Sequence, residues 1–184
     1  MTGLDHLRNR LGLLVHIVEK YQGGSLGRTV AMKLFFLLQT VKKVPLGYNF
    51  RLYTYGPFDS EVLNDLDYAV TLGGLESQVV YYPSGYGYKI DLGEKAEEMK
   101  QNAKDFLKQY NEEIDWVLDK FGQYSATDLE LISTISYVNR NLAERGQKTD
   151  INELSQRVST IKPRFSIEKI KEKAESLNSL KLAC

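Results

Sequence analysis

Chemistry in these 184 residues would have to start from two histidines, one cysteine and a glycine-spaced loop. His6 and His16 fall ten residues apart on one predicted helix. Ten residues turn a helix by about 1000°, which leaves the two rings roughly 80° apart in azimuth and about 15 Å apart along the axis. One metal ion cannot bridge that gap. Cys184 is the last residue, with nothing around it to lower its thiol pKa and no second cysteine to pair with. A reducing compartment, the cytoplasm, is the expectation. Gly24-Ser25-Leu26-Gly27 has the spacing of a loop that clamps nucleotides, but it lies between two helices, so a plain turn is expected. No phosphate loop of the Walker or dinucleotide kind occurs, and no local spacing sets two carboxylates up for acid–base work. The sequence predicts no catalytic residue, no metal and no cofactor: not an enzyme.

Charge and aromatic side chains carry more. Net charge is zero overall, yet residues 1–55 hold eight Lys/Arg against two Asp/Glu, and residues 56–100 hold three against nine. Such asymmetry is what two mutually attracting regions of one fold would show, or a basic docking face beside an acidic one. Arg8, Arg10, Arg28, Lys42, Lys43 and Arg51 are the candidates for nucleic-acid contact, with Lys162, Arg164, Lys169, Lys171 and Lys173 a second basic cluster. Solvated helix faces with partners one turn away explain them equally. Eight of the twelve tyrosines fall within residues 48–88. Tyrosine offers a large contact area at low entropic cost and is enriched in interfaces; bases can also stack on it, at ~1–3 kcal/mol each.

These side chains need elements to hold them. Leu4, Leu7, Leu11, Leu14, Val18 and Tyr21 form one apolar stripe on a first helix, ended by Gly23-Gly24. A second helix runs from about Arg28 to Lys43, with Phe35 and Phe36 widening its buried face. Tyr48–Tyr55 alternates like a strand, and Tyr55-Gly56-Pro57-Phe58 turns the chain, with Tyr55 and Phe58 expected to pack that turn. Asp59 or Ser60 caps a helix to Leu72. Strands 78–82 and 88–92 flank a turn over 83–87, with Tyr86 at its tip. Asp91 with Glu94 resembles a capping box opening a long helix over 93–121, whose near-heptad stripe fits pairing with its like in a homodimer and packing within its own lobe equally well. Helices follow over about 127–143, capped by Thr127 with Glu130, over 151–159, capped by Asp150 with Glu153, and from Ser166, which caps the last. The fold expected is α+β, mostly helical: a winged-helix-like N-terminal lobe with a small antiparallel sheet (1–92), and a long connecting helix with a C-terminal helical lobe (93–184).

Arg28-Thr29-Val30-Ala31-Met32-Lys33-Leu34-Phe35-Phe36-Leu37-Leu38-Gln39, then Tyr53-Thr54-Tyr55-Gly56-Pro57-Phe58-Asp59-Ser60-Glu61-Val62, resemble the uncharacterised YwgA-type proteins of bacteria and archaea. Ile161-Lys162-Pro163-Arg164-Phe165-Ser166 is similar to that pattern too. A more distant resemblance, over about residues 5–120, is to the Panacea antitoxin domain, whose Gly-Pro-Val is Gly-Pro-Phe here. The resemblance implies a regulatory or neutralising role without catalysis.

In a winged helix the helix before the wing enters the major groove. Here that helix carries Asp59, Glu61, Asp65 and Asp67 and no Lys or Arg. A unit charge ~6 Å from a phosphate costs roughly 0.7 kcal/mol even in water, and four carboxylates would oppose the counterion release that drives DNA affinity. The leading expectation is therefore a regulatory module that binds a protein partner, its surface made by Tyr55, Asp59, Glu61, Asp65, Tyr68, Tyr82 and Tyr86. The alternative is a DNA-binding transcriptional regulator using the basic residues and the wing. No stretch is long and apolar enough to span a membrane.

Overall fold

The computed structural model describes residues 3–23, 26–83, 85–180 and 182. Gly24, Ser25, the Ser84 turn position and Cys184 lie outside them. The protein is α+β and mostly helical, with two small antiparallel sheets. Its elements fall into two compact units: Met1–Phe50 with Asp59–Ala126, and Arg51–Phe58 with Thr127–Cys184.

In the first unit, α1 (Gly3–Lys20) is buried along its middle, from Leu11 to Val15 and again at Ile17. The predicted stripe is only partly buried, for Leu4 is 57% exposed. α2 (Arg28–Thr40) buries Phe35 and Phe36 completely, and their rings meet Tyr48 and Phe50 edge-on at 5.8 and 5.3 Å. Residues 44–50 do alternate between buried and exposed, yet they form no ladder. Gln39 substitutes for a neighbouring strand. Its carboxamide donates to the Tyr48 carbonyl at 2.8 Å and accepts from the Tyr48 amide at 2.9 Å. The Tyr48 backbone is satisfied without a partner strand, and of the strand expected over 48–55 only Arg51–Tyr53 forms.

α3 (Ser60–Thr71) is capped by Asp59, whose carboxylate accepts from the Glu61 amide at 2.9 Å. It leads into a hairpin of β3 (Leu75–Tyr82) and β4 (Gly85–Leu92), longer than predicted. Tyr82 pairs with Gly85 and Tyr81 with Tyr86, so the loop has two residues rather than five. Leu26, between α1 and α2, forms an isolated antiparallel bridge to Ile90. Asp91 stays in the strand, where it pairs with Lys89, and caps nothing.

The long helix expected over 93–121 is instead three: α4 (Ala96–Asn102), α5 (Lys104–Gln109) and α6 (Asn111–Phe121). Ala103 and Tyr110, both at φ −110°, break it. A Cβ on Gly12 of α1 would lie 2.3 Å from that of Ala103, so α1 and this segment touch with almost no side chain between them. Of the stripe Met99, Ala103, Phe106, Tyr110, Ile114, Val117 and Phe121, all but the half-buried Tyr110 are buried. With its other members buried and the helix broken twice, the stripe offers no continuous seam for a coiled-coil partner.

The second unit holds β1 (Arg51–Tyr53) paired with β2 (Gly56–Phe58), and α7 (Ala126–Glu144), α8 (Ile151–Ile161) and α9 (Ile167–Ser179). The division by packing thus falls elsewhere than at 92/93. Gly56 at φ +87° closes the β1–β2 turn; a Cβ there would meet Thr134 Oγ1 of α7 at 2.9 Å. Asp150 and Ser166 cap α8 and α9, accepting from Glu153 and Lys169. Among the described residues no helix is long and apolar enough to cross a membrane.

Candidate functional site

α3 points its carboxylates at arginines of the same unit. Arg10 Nη2 donates to Asp65 Oδ1 and to Glu61 Oε1, each at 3.1 Å, and its Nε lies 2.8 Å from Asp65 Oδ2. Tyr48 Oη donates to Asp65 Oδ2 at 2.6 Å, and the Arg10 guanidinium lies 4.9 Å from the Tyr48 ring centre. Asp65 is 1% exposed. Burial pushes its pKa up, against the opposing pull of the Tyr48 hydrogen bond and the Arg10 charge; burial first and Asp65 second push the Tyr48 phenol up. Asp67 pairs with Arg28, whose guanidinium stacks 3.9 Å from the Tyr88 ring centre.

Two expectations are corrected here. Asp65 does not belong to a partner surface, because a buried carboxylate needs its arginine and phenol and has them. Arg10 and Arg28 are likewise committed to α3 rather than offered to phosphate. Two of the eight cations of residues 1–55, Arg10 and Arg28, thus neutralise Glu61, Asp65 and Asp67. That also weakens the repulsion with which four bare carboxylates would meet DNA: Asp59 caps, Glu61, Asp65 and Asp67 are paired. Lys42 lies over the Trp116 ring at 4.6 Å. Arg8, Lys43 and Arg51 are exposed.

The tyrosines divide. Tyr48 is core. Tyr68 is 45% exposed and lines a groove of about 260 Å³ with Leu4, Leu7, Leu72 and Met99. The β3–β4 hairpin carries the largest aromatic exposure: Tyr81 is 82% exposed, Tyr86 67% and Tyr82 54%, with Val79 at 49%. Side chains alternate across a strand, and cross-strand partners share a face. Leu75, Ser77, Val79 and Tyr81 therefore lie on one face with Leu92, Ile90, Tyr88 and Tyr86. Leu75 and Ile90 are buried at its base, so the same face runs out beyond the core and ends in exposed aromatics. Tyr82 lies on the opposite face over Gly87, where a Cβ would stand 3.2 Å from its ring. Tyr81 and Val79 were missed because the five-residue turn read from Pro83 to Gly87 hid the register. A two-residue loop would have set Tyr81 opposite Tyr86.

The second unit brings together residues 53–58 and 161–166, from two of the three segments that carry the resemblance. Lys162, 3% exposed, donates from Nζ to Glu130 Oε1 at 2.8 Å and to the Thr54 carbonyl. Arg164 donates to the other Glu130 oxygen, and its guanidinium lies 5.8 Å from the Tyr55 ring centre and 4.9 Å from that of Phe165. Lys162 and Arg164 are thus structural partners of Glu130 rather than a basic surface cluster. Tyr55 is 62% exposed and does not pack its own turn: Gly56 occupies the contact with α7, leaving the ring outside it.

No protein-family model matches this chain, and a search of curated proteins finds no match to it.

Proposed function

We propose that this protein is a non-enzymatic regulatory module that binds a protein partner, in the manner of an antitoxin, with the outer half of the β3–β4 hairpin as its recognition surface. One observation carries the reading: Val79, Tyr81 and Tyr86 are exposed together on one face of a two-stranded ribbon, with Tyr82 exposed on the other, and the ribbon's lysine, Lys89, is tied to Asp91. A rigid aromatic surface without offered cations suits a protein better than a polyanion. The resemblance to the YwgA-type proteins and the Panacea domain supports the same direction. Binding to the product of a neighbouring gene is the test. Replacing Tyr81 and Tyr86 together by Ser should weaken that complex more than tenfold, since central tyrosines each contribute about 2 kcal/mol when they act as hot spots. Unchanged affinity refutes the assignment of the surface.

A second reading, a winged-helix DNA-binding regulator, is favoured by the Leu26–Ile90 bridge. A strand position between the first two helices, bonded to the hairpin's second strand, fits a winged-helix-like order. Titration with mixed-sequence duplex at low and physiological salt separates the readings. Binding with a steep salt slope, lost in Lys42→Glu/Lys43→Glu, supports DNA; absence of binding at low salt leaves the protein partner.

A further inference from the structure

Four of the eight residues of β3 turn their backbone groups away from β4, where no backbone hydrogen bond meets them among the described residues. In an antiparallel pair, alternate residues turn their N–H and C=O toward the partner strand and the rest turn them away. The Ile90 amide donates to the Leu26 carbonyl at 2.9 Å, so Ile90 faces away from β3 and its cross-strand partner Ser77 does too. By alternation, Leu75, Ser77, Val79 and Tyr81 present their amides and carbonyls on the far side of β3. Among the described residues no backbone hydrogen bond reaches that side.

Such an edge is normally blunted by lysine, proline, a bulge or a covering element. β3 has the sequence Leu-Glu-Ser-Gln-Val-Val-Tyr-Tyr, and its register with β4 is unbroken from end to end. Its one charge is Glu76, near the base. Pro83 comes only after the strand. We infer that the β3 edge pairs antiparallel, about a two-fold axis, with the β3 edge of a second copy of this chain, joining two hairpins into one four-stranded sheet.

The register follows from the chain itself. With the axis at Val79, Ser77 faces the second copy's Tyr81 and Val79 faces its own counterpart, so outward groups meet outward groups in about six backbone hydrogen bonds. Because opposed residues then have the same parity, the inner faces of the two hairpins lie on one side. Val79, Tyr81 and Tyr86 of both copies make a single aromatic surface. Glu76 is set opposite Tyr82, whose hydroxyl can donate to it, and not opposite the second Glu76. No like charges meet. The closed two-fold pairing uses the β3 edge of each copy once, and leaves β4, bridged to Leu26 at Ile90, as the strand on either side of the sheet. It is independent of whether a protein partner or DNA is the ligand.

Light scattering after size exclusion, across a wide concentration range, reads the association directly. Wild type should reach twice the monomer mass at high micromolar concentration. Val79→Lys keeps the strand but opposes two ammonium groups at the axis, and should raise the dimer dissociation constant at least tenfold. Val79→Pro removes an outward amide without touching the β3–β4 ladder, and should abolish the dimer while circular dichroism stays native. Amide exchange at Ser77, Val79 and Tyr81 should slow as wild-type concentration rises. A monomer at every concentration, a dimer indifferent to Val79→Lys, or exchange at those three amides independent of concentration would each overturn the proposal.

Discussion

At the scale of single residues, the strongest consequences come from groups that are buried and charged. Arg10 holds Asp65 inside the first unit, with side chains 12% and 2% exposed. Arg10→Ala would leave a buried carboxylate facing only Tyr48, and should cost about 3–5 kcal/mol. Arg28→Ala breaks a pair whose aspartate is 58% exposed and should cost no more than about 1 kcal/mol through the lost charge pair. Urea denaturation of the two variants measures the contrast. His16 supplies a pH effect. Its Nε2 is buried with no hydrogen-bond partner among the described residues, and burial first, then Lys20, push its pKa below the ordinary imidazole value. The unfolded chain therefore takes up the proton first. Stability from His16 is fully present above the ordinary imidazole range and is lost as pH falls through it toward the lowered folded value. Denaturation midpoints measured from neutral to mildly acid pH should fall less steeply in His16→Gln than in wild type.

At the scale of elements, close approach decides what a glycine is for. Gly12 lies in the middle of α1, where alanine would ordinarily favour the helix by about 1 kcal/mol. Its missing side chain is what admits Ala103, so Gly12→Ala should instead destabilise the protein by about 1–3 kcal/mol, read as a lowered thermal midpoint. The sequence exposed the helical period of residues 99–121 and even its correct apolar members. It could not expose the two breaks, because the demand for them comes from the surface of α1, far away in sequence. The caps at Asp59, Asp150 and Ser166 were legible because capping is local chemistry, settled within three residues. Asp91-x-x-Glu94 had the same letters and failed, since strand pairing with Glu76 claimed the backbone first; Thr127 lies inside α7, whose Glu130 carboxylate goes to Lys162 and Arg164. Tyr48–Phe50 misled for a related reason: its alternation reports burial, and Gln39 had already taken the place of a strand.

At the scale of the whole molecule, the chain folds across its own order. The second unit takes Arg51–Phe58 from the middle of the first unit's sequence, and what anchors that hairpin is at the other end of the chain. Pairing such as Lys162 with the Thr54 carbonyl spans more than a hundred residues of sequence, beyond what any local pattern records. The candidate surface was only half legible for the same reason, since exposure at Tyr81 and commitment at Asp65 are both set by distant partners. A fragment of residues 127–184 tests how far the insertion matters. It would keep Glu130, Lys162 and Arg164, but Lys162 would lose its carbonyl acceptor and the α7 surface at Ser133 and Thr134 would lose Gly56. A buried ammonium with one acceptor removed, beside newly exposed core, leaves a small domain of roughly sixty residues with little margin. The fragment alone should unfold in urea at a lower midpoint and with a broader transition than a fragment in which residues 50–59 are fused to it through a flexible linker. Equal midpoints for the two would mean that the hairpin merely rests on α7. A restored sharp transition in the fusion would mean that it completes the unit's core.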